Sequence, residues 1–121
     1  MLHQGSRRET LTRLTHLAQR RRSAAALFHY REAIRCEEMA GDRFGAASAR
    51  FNAALHLRGM GRLSDALSFA ESALGGFEAC GARGEDLVAK TQVLIEDVRG
   101  RQEIREETRG EVGSLLDLDG L

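Results

Sequence analysis

The stretch EEMAGDRFGAASARFNAAL, residues 37–55, divides at its first glycine. Gly41 suits the left-handed residue just past a helix C-terminus, where a side chain with a Cβ would be strained. Asp42 then offers an oxygen to cap a new helix, and the residues after it keep a helical spacing. The same outline returns forty residues later as FEACGARGEDLVAKTQVLI, residues 77–95, with Glu85 and Asp86 placing negative charge at the helix start. Sliding the chain against itself by forty positions pairs Arg22 with Arg62, Ala26 with Ala66, Leu27 with Leu67, Ala33 with Ala73, Glu38 with Glu78, Gly41 with Gly81 and Arg43 with Arg83. These are seven identities in 22 positions, where composition alone gives about two.

A second kind of turn lies inside each unit. RGMGRLS, residues 58–64, sets two glycines between periodic segments, and its counterpart forty residues earlier is AQRRRSA. Each unit is therefore expected to be a helical hairpin. The chain as a whole is expected to form five helices, over residues 6–20, 23–40, 43–58, 62–79 and 85–99. Ala26, Leu27, Tyr30, Ala33, Ile34 and Glu37 make the inward stripe of the second, and Ala66, Leu67, Phe69, Ala70, Ala73, Leu74 and Phe77 that of the fourth. Gly75 and Gly76 interrupt the fourth and mark a kink, a close backbone contact or a tolerated weak point.

The totals agree with an all-α chain. Among 121 residues there are 17 alanines and no proline, with arginine, glutamate and leucine abundant, a composition that loses little rotamer freedom in helices. Apolar residues at 42% and charged residues at 30% belong to a globular protein with one core. The longest apolar run, Ala24 to Phe28, is far too short to cross a bilayer, and the first twenty residues hold no hydrophobic signal segment, so a cytoplasmic location is expected. Cys36 and Cys80 have neither metal-ligand nor disulfide-framework spacing and are expected as thiols. Net charge is zero, yet residues 1–24 hold six arginines against one acid, while residues 96–121 hold eight acids against four arginines. Opposite ends of opposite sign support head-to-tail contact between copies or docking of the tail.

ARFNAALHLRGMGRLSDALSFAESAL, residues 49–74, resembles a unit of the tetratricopeptide repeat family: Ala54, Ala66 and Ala73 fall at its small crossing positions. Ala70 stands where an aromatic is usual, as does Arg50, and the proline that commonly follows the second helix is missing. The forty-residue period exceeds the family's commonest length of about 34 and is similar to a longer-helix subclass found in bacterial signalling ATPases, caspase-like proteases and peptide-sensing regulators. The resemblance covers residues 6–99 and implies a right-handed α-α superhelix: units over 6–40 and 43–80, a capping helix over 85–99, a repeat domain within 1–100 and a charged tail over 101–121. It also implies a concave groove for a protein or peptide partner. The family's groove positions fall on Arg8, Leu11, Thr12 and Thr15, then Ser48, Phe51, Asn52, Leu55 and Arg58, then Val88, Thr91, Gln92 and Ile95. Asn52 leads, because a mid-helix amide can both donate to and accept from a peptide backbone. Arg8 and Arg58 suit a ligand carboxylate.

Other chemistries find no set of residues. His3, His16, His29 and His56 include no pair four residues apart, so no metal is expected, and no glycine-rich phosphate loop follows a strand, so no nucleotide cofactor is expected either. His29 and Cys36 are two helical turns apart, about 10 Å along the axis, too far for a nucleophile and its base, and no enzyme is expected. QRRRS, residues 19–23, stands without a basic stripe interleaved with aromatics, so neither nucleic acid nor membrane is expected as partner. After Gly100 the tail is charged and ends in GSLLDLDGL, expected to be partly disordered or a docking segment. The expected function is thus a non-catalytic interaction module. The alternative is a self-assembling structural or regulatory unit, its groove or edge filled by its own tail or by a second copy, with a homodimer formed through the terminal helices or the tail.

Overall fold

The computed structural model describes residues 4–119, with the side chains of residues 7–111. It is all-helical: α1 (Gln4–Met39), α2 (Arg43–Gly59), α3 (Leu63–Ala79), a single 3-10 turn (Gly81–Gly84) and α4 (Glu85–Asp119), and no strand occurs among the described residues. The turns legible in the sequence are where glycine was expected to place them. Gly41 and Gly81 have φ of 73° and 64°, and Gly61 has 75°. At the first turn Asp42 N–H donates to the Glu37 carbonyl at 2.9 Å and Gly41 N–H to that of Glu38 at 3.0 Å, the paired bonds that close a helix over a left-handed residue. Arg62 and Gly61 repeat the pattern on Leu57 and Arg58. Asp42 caps α2 as expected, its Oδ1 accepting from Gly45 N–H at 2.7 Å.

The first hairpin is absent. α1 runs unbroken for 36 residues, about 54 Å, through the QRRRS stretch where a turn had been expected, so the described residues form four α-helices instead of five. Register supplies the reason. Arg21 stands forty residues before Gly61, the residue that takes the left-handed φ at the α2–α3 turn, and a residue carrying a Cβ gains nothing by leaving the helix there. The charged stretch after Gly100 is likewise helical, since α4 continues to Asp119. The leucines of GSLLDLDGL lie outside the described side chains.

Short turns make sequential neighbours antiparallel: α1 packs on α2, α2 on α3 and α3 on α4, with a lighter contact of α2 on α4. The core joins Leu27 of α1, Ala54 and Leu57 of α2, Ala66 and Ala70 of α3 and Leu94, Ile95 and Val98 of α4. A second cluster forms around Phe77, fully buried, with Ala47 and Ala73 beside it and the rings of Phe44 and Phe51 at 5.6 and 6.5 Å, both edge-on. Alanines thus set the helix spacing and one large ring fills the gap. In α1, Leu27 and Ile34 are buried as expected, whereas Ala33 faces solvent. α3 continues as one α-helix through its two glycines, and a Cβ added to Gly76 would lie 2.8 Å from that of Ala47, so the second glycine marks a close approach to α2.

α1 and α4 are both about twice as long as the helices between them and extend past the α2–α3 turn. Arg62 of that turn shares a recess with Gln19 and Ser23 of α1, and Arg105 of α4 donates from Nη1 to the Gly61 carbonyl at 3.0 Å. Past that turn, both helices project from the same end of the bundle as arms.

Candidate functional site

α3 packs against both α2 and α4, leaving a shared outer face to which α2 contributes its middle turns. Asn52 is exposed at its centre and its amide has no hydrogen-bond partner among the described residues. Ser48 and Leu55, one turn to either side, are half-buried, as is Phe51, which leans toward the Phe77 cluster. From α4, Gln92 is exposed and Val88 half-buried. Thr91 and Ile95 are buried, and the Thr91 hydroxyl donates to the Leu87 carbonyl at 2.6 Å, so these two build the wall instead of offering contacts. The face thus carries half-buried Ser48, Phe51, Leu55 and Val88, with the amides of Asn52 and Gln92 exposed on it.

Arg58 closes one end. Its Nη1 donates to Asp97 Oδ2 at 2.9 Å, and Arg101 Nε reaches the same oxygen at 3.1 Å. The guanidinium expected for a ligand carboxylate is therefore engaged with a carboxylate of the protein itself, tying α2 to α4. At the opposite end Phe44 carries the Arg83 guanidinium 4.2 Å above its ring, a cation–π contact that joins the start of α2 to the 3-10 turn. The sequence marked neither Asp97 nor Arg83 as a contact of the face, because each takes that place only when a residue distant along the chain is set beside it.

Ser48, Asn52, Leu55 and Arg58 follow one another on α2, and the Arg58–Asp97 pair joins that helix to α4, which carries Gln92. The structure does not bring Arg8, Thr12 and Thr15 to them. With α1 unbroken, these three lie on the projecting arm, past the end of α2, all exposed. The Thr12 and Thr15 hydroxyls donate to the carbonyls of Arg8 and Leu11 at 2.8 Å, an ordinary helical back-bond. The physical cause is again the missing glycine near Arg21, without which the arm does not fold back along α2.

No group of three or more histidine, cysteine or acidic side chains among the described residues is arranged to hold a metal ion. Among those residues, too, no helix is long and apolar enough to cross a membrane. The chain matches no protein-family model, no curated protein and no solved structure.

Proposed function

We infer that the chain is a non-catalytic protein-interaction module, a short helical-repeat unit of the tetratricopeptide kind, whose α2–α4 face receives an extended or helical segment of a partner. The observation that carries this reading is Asn52: a polar side chain exposed at mid-helix, without a hydrogen-bond partner among the described residues, with half-buried Ser48, Phe51 and Leu55 beside it on α2. An amide in that setting pairs with a peptide backbone whatever the peptide's side chains, while the apolar groups beside it take its side chains. Gln92 on the facing helix supplies a second such amide. The left-handed Gly41 and Gly81, forty residues apart at equivalent turns, and the alanine crossings at Ala54, Ala66 and Ala73 support the family reading.

A displayed random-peptide library panned against the full chain tests it. Peptides enriched on the parent are expected to bind the Asn52→Ala/Gln92→Ala chain at least about tenfold more weakly, since each hydrogen bond contributes about 1 kcal/mol. Both side chains are exposed, so the melting temperature should be unchanged. Equal retention of the same peptides by both chains would remove the assignment.

A further inference from the structure

α1 buries one side only. Ser23, Leu27 and Ile34 face α2, and at about 100° per residue these fall within one sector of the helix. The opposite sector carries Arg7, Leu11, Leu14, Ala18, Arg21, Ala25, Phe28 and Glu32, spaced alternately by four and three. Leu11, Leu14 and Phe28 are 64%, 57% and 62% exposed, and Leu17, at 44%, borders the stripe. An apolar 3.5-residue spacing from Leu11 to Phe28, about two and a half heptads interrupted only at Arg21, on the side of α1 turned from the bundle is the pattern of a helix seam that packs against another helix.

We propose that a second copy of this chain covers the seam, the two α1 helices lying antiparallel about a two-fold axis. Charge and size select this arrangement over others. Facing residues whose numbers sum to 39 sets Leu11 opposite Phe28 of the second copy, Leu14 opposite Ala25, and Ala18 opposite Arg21, whose stem crosses the small side chain while its guanidinium reaches solvent. The next layer outward sets Arg7 against Glu32. A shift of one heptad would place Leu11 against Arg35 or against Arg21, and a parallel pair would stack Arg7, Arg21 and Glu32 each on itself. A two-fold contact uses the same patch on both copies, and this stripe is complementary to its own reverse. The bundle sits on the other side of α1 and only along its C-terminal half, so the second copy's arm meets nothing but the seam. The face points away from α2, and the proposal is independent of the peptide-binding face.

Sedimentation equilibrium on the full chain tests the assembly, and cysteine pairing tests the register. The parent is expected to be a dimer, and Leu14→Glu to raise its dissociation constant at least about tenfold. Arg7→Glu should weaken the dimer and Arg7→Glu/Glu32→Arg should restore it. In a Cys36→Ser/Cys80→Ser background, Leu14→Cys/Ala25→Cys should form an intermolecular disulfide under mild oxidation while Leu14→Cys alone should not, a readout that stands even if Leu14→Glu loses helix. A monomeric parent, a dimer indifferent to Leu14→Glu, or cross-linking through position 14 alone would each overturn the proposal.

Discussion

Two neighbouring glycines in α3 face opposite circumstances. Gly75 is exposed with open space where a Cβ would stand, whereas a Cβ on Gly76 would press on that of Ala47. Gly75→Ala should therefore stabilise the fold by about 0.5–1 kcal/mol through helix propensity and a less free unfolded chain. Gly76→Ala gains the same term but incurs an overpacking cost of about 1–3 kcal/mol. Chemical denaturation is expected to rank the three chains Gly75→Ala, parent, Gly76→Ala in falling order, and the reverse order of the two variants would mean that α2 and α3 do not meet there. The residue scale is also where the sequence was most legible. Gly41, Gly81 and the Asp42 cap act through their own backbone and the next few residues, and all three do in the structure what local chemistry requires. The engagement of Arg58 by Asp97 spans 39 positions of chain and had no local sign.

At the scale of elements, α2 and α3 emerged from the periodicity nearly intact, and α1 and α4 did not. The turn expected at residues 19–23 was transferred from residues 58–64 by the internal repeat, although Gln19 and Arg21 replace the two glycines that make the later turn. A repeat preserves packing positions such as Leu27 and Leu67 without preserving the residue that lets the chain reverse. Gln19→Gly/Arg21→Gly supplies what is missing and should weaken the helix locally by about 1 kcal/mol per site. Amide hydrogens of residues 17–24 are expected to exchange several-fold faster in that variant while those of α3 stay as in the parent. Unchanged protection over 17–24 would show that something other than the absence of glycine keeps α1 straight. The helical stretch after Gly100 was hidden for a different reason: charges of both signs surround it, so no apolar period announces it. The α1 part of the candidate site shared this fate, since Arg8, Thr12 and Thr15 lie on the arm, away from the residues of α2 and from Gln92 of α4.

For the molecule as a whole, the bundle is short and its outer helices are long. α2 and α3 span 17 residues each, α1 36 and α4 35. The first turn of α1 holds no acid and is followed by Arg7 and Arg8. The projecting α1 rod therefore starts with the charge that its macrodipole disfavours, at about 0.3–1 kcal/mol in dilute buffer. Within the α4 arm, Arg101, Arg105 and Arg109 and, separately, Glu103, Glu107 and Glu111 stand one turn from their own kind, which adds repulsion along the rod. Added electrolyte screens both effects. In the Leu14→Glu chain, helical ellipticity should accordingly climb with ionic strength, where a rod held by attractive surface pairs would fray, and a flat or falling trace would contradict this electrostatic picture of the arms.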